Sequence, residues 1–156
     1  MKKKITFLII FLFILGCGFK TFNYDETIPI KINSINYSGH KYLNFILKSK
    51  LQTLKKENSS NASYNLNIDS SVNKSIYEKN IRNEITKYQL NFNVKITFID
   101  QYSNIVKTFS INKTHNFDVG DYQTQTRTRE RNNINRYSSI IGDEIIKRIV
   151  LEANDL

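Results

Sequence analysis

The sequence has one cysteine, one proline, two histidines and no tryptophan among its 156 residues. A lone thiol cannot form an intramolecular disulfide, so an exported domain of this chain must be held together by packing. His40 and His115 lie far apart, and no histidine or cysteine stands at metal-ligand spacing. A glycine-rich phosphate loop, a serine nucleophile elbow and an H-E-x-x-H motif are also missing. The sequence therefore predicts a protein that is not an enzyme and that needs no cofactor or metal.

Long hydrophobic runs are missing too, and the one apolar stretch lies at the amino terminus. It runs from Ile5 to Leu15 behind three lysines and is followed by Gly16 and Cys17. A transmembrane helix needs about 20 apolar residues to cross roughly 30 Å of hydrocarbon. A secretory signal peptide needs a basic start, an apolar stretch of roughly 7–15 residues and a small residue at the cut. The pattern predicts a cleaved signal peptide over residues 1–16.

The cysteine stands directly behind this apolar stretch. The segment Ile14-Leu15-Gly16-Cys17 resembles the bacterial lipobox, which implies cleavage before Cys17, thioether diacylation of Cys17 and acylation of the new amino terminus. Several acyl chains are needed, since one chain binds a membrane only marginally. The alternative is an ordinary secreted protein with a stray cysteine. Gly18 takes the place of the aspartate that commonly retains such proteins in the inner membrane, which favours the outer membrane.

Positive charge is in excess, with 23 Lys and Arg residues against 14 Asp and Glu residues and a net charge of +9. Removing Lys2, Lys3 and Lys4 with the signal peptide leaves 20 basic residues and a net charge of +6. A basic exported domain favours anionic partners such as phosphates, lipid A or acidic lipid head groups. Nucleotide bias in the genome explains the abundance of Lys, Asn and Ile equally well. Nucleic acid is not an expected partner, because the chain is exported and has no recognition motif.

After the signal peptide we expect a lipidated tether over residues 17–27 and one domain over residues 28–156. Along this domain the apolar residues alternate between the two-residue period of strands and the 3.6-residue period of helices. The predicted elements are a strand over 28–37 with a bulge at 33–34, a helix over 40–57, strands over 64–72, 88–98 and 105–117, and a helix over about 128–153. Segment 73–84 is interpreted as a loop or a frayed strand end, and segment 118–128 as a loop.

One face of a four-stranded sheet and two amphipathic helices can bury each other in two layers. The fold class that the sequence predicts is therefore α+β, a two-layer sandwich with two amphipathic helices packed on a four-stranded, mostly antiparallel sheet. The strands over 88–98 and 105–117 are joined by a five-residue polar turn, which is typical of an antiparallel hairpin. The first strand, helix and second strand could form a right-handed parallel crossover.

Basic residues concentrate near the predicted start of the last helix. The cluster contains four arginines and one acid, namely Arg127, Arg129, Arg131, Arg136 and Glu130. Cations at a helix N-terminus oppose the helix dipole, so support of the helix explains them poorly. Guanidinium groups bind phosphate bidentately, and Lys95, Lys107 and Lys113 add charge on or near the hairpin. The alternative is a solvated basic face without a partner.

The chain resembles the lipopolysaccharide-assembly lipoproteins of the LptE (RlpB) family in two respects. These are the order of the predicted elements and the start, Leu15-Gly16-Cys17-Gly18-Phe19-Lys20. The stretch Arg127–Arg136 with Asp143-Glu144-Ile145 is similar to the charged last helix of that family. The chain departs from the family at Thr21-Phe22, where a proline commonly follows the phenylalanine, and in its basic, Asn-rich composition.

This resemblance implies a non-catalytic lipoprotein on the periplasmic side of the outer membrane. Such a protein plugs an LptD-type β-barrel, helps the barrel to fold and assists the insertion of lipopolysaccharide into the outer leaflet. Arg127, Arg129, Lys107 and Lys113 are then the candidates for contacts with lipid A phosphates. Two alternatives stay open: another envelope-assembly lipoprotein, such as a pilotin or a barrel-assembly accessory that binds a different outer-membrane protein, and a small periplasmic hydrolase.

Overall fold

The computed structural model describes residues 31–52, 63–100 and 104–153. Its elements in chain order are β1 (Lys31–Gly39), α1 (Lys41–Leu51), β2 (Ser63–Lys79), β3 (Ile85–Ile99), β4 (Ile105–Asp118) and α2 (Gln123–Ala153). The predicted signal peptide and tether, with Cys17, lie outside the described residues. So do the predicted start of the first strand and the predicted end of the first helix.

The four strands form one sheet in the order β1-β2-β3-β4. β1 and β2 are parallel and are separated in the chain by α1, whereas β2–β3 and β3–β4 are antiparallel. Both helices share one hydrophobic core with the sheet. For the described residues, the predicted α+β class, the four strands and two helices and the mostly antiparallel pairing are confirmed.

The core lies on one face of the sheet because successive side chains of a strand point to opposite faces. In β3 the even-numbered residues from Leu90 to Phe98 are buried, and Phe92 is only 2% exposed. The helices supply the other side of this core at helical spacing. α1 contributes Leu43, Leu47 and Leu51, which are fully buried. Within the described residues, no helix combines the length and the apolar character that crossing a bilayer requires.

The predicted bulge in the first strand is confirmed. The register of β1 against β2 shifts between Ile32 and Ser34, so one residue has no partner there. Ile32 and Ile35 are three positions apart and are both buried. The extra residue of a bulge makes this possible, since an unbroken strand would place these two side chains on opposite faces.

A tight junction joins β1 to α1. Gly39 has a φ of +90°, and a Cβ atom at this position would lie 1.9 Å from the carbonyl oxygen of Ser70. The backbone N–H of His40 donates to the same oxygen at 2.8 Å. The Nδ1 atom of His40 then accepts a hydrogen bond from the Leu43 N–H at 3.2 Å, which caps the helix. Glycine is required because the backbone of β2 occupies the space of a side chain.

Of the two interpretations of segment 73–84, a loop or a frayed strand end, the loop is wrong for the first seven residues, which continue the strand. β2 continues through Lys79, and Lys74 and Ile76 pair with Leu90 and Tyr88 of β3. The segment has little apolar pattern because this end of β2 is exposed on both faces. Pairing with β3 satisfies its backbone groups and overrides its weak local preference.

The interpretation of segment 118–128 as a loop is wrong for residues 123–128, because α2 begins at Gln123, whereas residues 119–122 do form a loop. Two side chains of its first turn bind the amides that precede the helix. The Thr126 hydroxyl accepts from the Gly120 N–H at 2.9 Å, and the Gln125 side-chain oxygen accepts from the Asp121 N–H at 3.1 Å. Arg127 and the arginines after it therefore lie beyond the first turn, where the effect of the helix dipole has largely faded.

Candidate functional site

Two of the four predicted lipopolysaccharide contacts form ion pairs between β4 and α2. Lys107 pairs with Glu152, and the Nζ atom of Lys113 lies 2.6 Å from the Oε2 atom of Glu144. Both lysine side chains are about one-third exposed. Ion pairs at such exposure contribute about 0–1 kcal/mol each. They connect the second half of α2 to β4.

The partners of Glu152 also affect its own ionisation. The hydrogen bond from Lys107 lowers the pKa of Glu152, and Arg148, whose Nε atom lies 3.4 Å from Oε1, lowers it further. The carboxylate is the favoured form because both neighbours are cations. Glu152 is therefore ionised over a wider range of pH than a free glutamate.

Arg129 binds the loop between β4 and α2. Its Nη1 atom donates to the carbonyl oxygens of Asp118 and Val119, each at 3.2 Å. Arg127 is exposed and has no ion pair or hydrogen bond with other described residues. Of the two predicted arginines, Arg127 is thus the one whose guanidinium is available to a ligand.

The structure does not bring the four predicted residues together at one point. A helix rises 1.5 Å per residue, so Arg127 lies roughly 37 Å along α2 from Glu152, the partner of Lys107. Arg129 lies roughly 22 Å from Glu144, the partner of Lys113. The two arginines and the two lysines therefore lie on different parts of the α2–sheet layer.

A cleft of about 490 Å³ opens beside the first half of α2. The side chains that line it include Lys74, Tyr88, Gln123, Thr126, Arg127 and Glu130. It forms at the end of the sheet where β2 and β3 project past β1, because β1 ends opposite Ser70 while β2 continues to Lys79. The cleft thus depends on the part of β2 that the sequence pattern did not predict.

Lys74 is the residue of this cleft that sequence reasoning missed. Its Nζ atom lies 2.5 Å from the Oε2 atom of Glu130 and 4.2 Å from the centroid of the Tyr88 ring. An ammonium over an aromatic face is attracted by the ring quadrupole. A signal was present in the sequence, since Lys74 and Ile76 continue the alternation of Leu66 and Ile68.

The chemistry of the cleft suits an anionic group attached to an apolar body. Glu130 neutralises Lys74, which leaves the charge of Arg127 uncompensated, and Tyr88 provides an apolar wall. A guanidinium can donate two parallel hydrogen bonds to a phosphate or carboxylate. Among the residues that the structure describes, no group of three or more His, Cys, Asp or Glu side chains could hold a metal ion.

No protein-family model matches the sequence, and no curated protein matches it. Several solved structures are similar to this chain in fold. Rare lipoprotein B from Shewanella oneidensis has a TM-score of 0.60 at 14% identity, over 79% of this chain and 98% of that chain. A minor lipoprotein from Acinetobacter baumannii has a TM-score of 0.58 at 14% identity, over 78% and 91%. Lipoprotein B from Nitrosomonas europaea has a TM-score of 0.58 at 12% identity, over 85% and 92%.

This chain has the rare lipoprotein B fold. The resemblance to the LptE (RlpB) family, inferred from the Gly16-Cys17-Gly18-Phe19 start and the order of elements, is thereby confirmed at the level of the fold.

The face of the sheet opposite the helices is polar and nearly uncharged in this version of the rare lipoprotein B fold. Its central part comprises alternate residues of β1 from Asn36 to Ser38, of β2 from Asn67 to Ser75, of β3 from Gln89 to Thr97 and of β4 from Thr108 to Asn116. Among these alternate residues the only charged ones are Asp69 and Lys95, which pair with each other in the register. All the remaining ones are Asn, Gln, Ser or Thr.

Side-chain hydrogen bonds connect neighbouring strands across this polar face. The Asn36 side-chain amide donates to the Asn67 side-chain oxygen at 3.0 Å. On the same face, between β3 and β4, the Thr114 hydroxyl donates to the Asn91 side-chain oxygen at 3.1 Å. The result is a broad surface of donors and acceptors with little net charge.

Proposed function

We propose that this chain is a lipid-anchored envelope lipoprotein of the LptE type. It plugs an LptD-type β-barrel on the periplasmic side of the outer membrane and assists the insertion of lipopolysaccharide. The observation that carries the proposal is the fold, which matches rare lipoprotein B over 98% of that chain. Gly16-Cys17 at the end of the apolar run supports the lipid anchor on Cys17, and Gly18 supports the outer membrane.

The polar face of the sheet supports a role as a plug. The interior of an outer-membrane barrel is polar, and a domain inside it has to exchange hydrogen bonds with water for hydrogen bonds with the barrel wall. Asn, Gln, Ser and Thr side chains provide donors and acceptors without the cost of burying a charge. The pair Asp69 and Lys95 fits the same requirement, because its charges are opposite and in register.

The cleft beside α2 supports contact with lipopolysaccharide. Lipid A carries phosphates on an apolar body, and the cleft combines an available guanidinium with an aromatic wall. Arg127 is the predicted contact residue that lies in the cleft, with Lys74 beside it. Arg129, Lys107 and Lys113 make intramolecular contacts in the structure.

The decisive experiment is an affinity pull-down of the tagged full-length chain from detergent-solubilised outer membrane. We expect a large β-barrel protein of the LptD type to be captured, as identified by mass spectrometry. The control is the variant Cys17→Ala, which should no longer be found in the outer-membrane fraction because it lacks the residue that is acylated. Capture of a secretin would instead favour a pilotin, and capture of the barrel-assembly machine would favour an accessory of that machine. Either result contradicts the proposed partner.

A further inference from the structure

One end of the domain exposes large apolar side chains beside basic ones. Ile105, the first residue of β4, is 70% exposed, and Leu151 in the last turn of α2 is 63% exposed. We name this end the tether pole and define it by Lys31, Ile105, Lys147, Arg148 and Leu151. Large apolar side chains such as Ile76 and Ile81 are also exposed toward the opposite end, so what distinguishes the tether pole is that the described chain begins there.

Strand register and an ion pair bring these residues to the same end. The row of the sheet nearest this end contains, in strand order, Ser34, Asn65, Ile99 and Ile105. Lys31, where the described chain begins, lies just beyond this row because it pairs with the first residue of β2. The ion pair between Lys107 and Glu152 joins the start of β4 to the end of α2.

The last turns of α2 expose two cations beside one large apolar side chain, while Ile145 and Ile149 on the other face are buried in the core. Lys147 and Arg148 precede Leu151 by four and three positions, so the three side chains share one face of the helix. All three are exposed. Long cationic side chains can reach lipid phosphates while an apolar neighbour enters the head-group layer.

The tether leads to this same end. Thirteen residues, 18–30, separate Cys17 from Lys31, and a fully extended chain of that length spans at most about 45 Å. A lipid anchor on Cys17 therefore keeps Lys31 within about 45 Å of the bilayer. A weak surface contact becomes effective under such a constraint, because the second binding event is intramolecular.

We propose that the tether pole docks on the bilayer surface that carries the chain's own lipid anchor. Ile105 and Leu151 enter the head-group layer, Lys31 and Lys147 meet anionic phospholipid head groups, and Arg148 exchanges its ion pair with Glu152 for such a head group. The inference rests on the lipid anchor of the proposed function and applies to the chain before it enters the barrel, whose wall would separate the domain from lipid. It fixes which end of the domain faces the membrane.

The opposite end of the domain provides a matched control. Ile81 lies in the turn between β2 and β3 and is fully exposed, and Arg82 is its neighbour. This turn has the same kind of residues as the tether pole, but it lies at the far end of β2 from Lys31. A general affinity of exposed isoleucine and arginine for lipid would act at both ends equally.

The test uses the acylated mature protein in vesicles of phosphatidylethanolamine and phosphatidylglycerol. Ile105→Cys, Leu151→Cys and Ile81→Cys are made one at a time and labelled with bimane, since acylated Cys17 has no free thiol. We expect brominated lipids to quench the first two labels at least about twofold more than the third, because only labels at the boundary of head groups and acyl chains come close to the bromine atoms. Lys147→Gln with Arg148→Gln should reduce the quenching at the Leu151→Cys label.

Equal quenching at the two ends, or stronger quenching at the Ile81→Cys label, would overturn the docking of the tether pole. The docking would also be overturned if aqueous iodide quenched all three labels and brominated lipids quenched none of them. The intact mass of the mature protein separates the two proposals: a mass without acyl groups refutes the anchor and the docking together. An acylated mass with equal quenching refutes the docking alone, and failure to capture a barrel refutes only the plug.

Discussion

Arg127→Gln tests the cleft beside α2 most directly. The substitution keeps the length and polarity of the side chain and removes its positive charge. Arg127 makes no ion pair with other described residues, so its loss leaves no buried carboxylate without a partner. A hydrogen bond to a charged group contributes about 1.5–3 kcal/mol. Because solvent and salt screen this exposed site, we take the lower end and expect about tenfold weaker binding of lipopolysaccharide.

The assay is a titration of the full-length chain with lipopolysaccharide in detergent, at low and at physiological salt, with the Kd as the readout. Thermal unfolding is measured on the same samples. We expect the free energy of unfolding to change by less than about 0.5 kcal/mol, since exposed substitutions away from special contacts have small effects. The difference between the two proteins should shrink as salt rises.

Lys107→Gln is the control, because it removes the same charge at a position far from the cleft. Lys107 pairs with Glu152 near the end of α2, and the affinity for lipopolysaccharide should stay close to that of the natural chain. Equal losses in both variants would mean that net charge, and not the cleft, governs binding. An unchanged Kd in Arg127→Gln would refute the assignment of Arg127.

Two further predictions concern stability. Gly39→Ala should lower the free energy of unfolding by more than about 2 kcal/mol in a urea titration, because the new Cβ would meet the Ser70 carbonyl oxygen at a φ of +90°. Gly142→Ala in α2 is its control and should change stability by about 1 kcal/mol or less, since the nearest atom is in a flexible lysine side chain. The pKa of Glu152 is lowered by Lys107, so its contribution to stability is present above the unfolded pKa of about 4.3 and is lost as pH falls through the folded pKa. Glu152→Gln should therefore lose less stability than the natural chain between neutral and acid pH in the same titration, and an identical acid profile would contradict this.

Most of the regular structure could be predicted because local spacing determines which face of an element is apolar. The alternation in β3 and the spacing of Leu43, Leu47 and Leu51 in α1 each require a particular backbone period to bury one side. The bulge in β1 was also readable, since the apolar alternation changes phase at residues 33–34. The class of fold followed, as two such helices and one-sided strands have few ways to cover each other.

The parts that were missed are those whose partners lie elsewhere in the chain. The last residues of β2 have a weak pattern and become a strand because β3 pairs with them. The first turn of α2 has no apolar period and forms because Gln125 and Thr126 bind the amides of the preceding loop. Polar side chains can satisfy backbone groups in either a loop or a helix, so their sequence alone does not decide between the two.

By itself, the sequence determined the leader pattern around Cys17, the basic charge and the layer of helices on a sheet, because each of these depends on residues that are near one another in the chain. The tertiary structure decided which charges are available. It paired Lys107 and Lys113 with α2, bound Arg129 to a loop, and placed Arg127 beside Lys74, which is distant in sequence. The availability of a charged side chain depends on the register and packing of remote elements, and no local spacing encodes these.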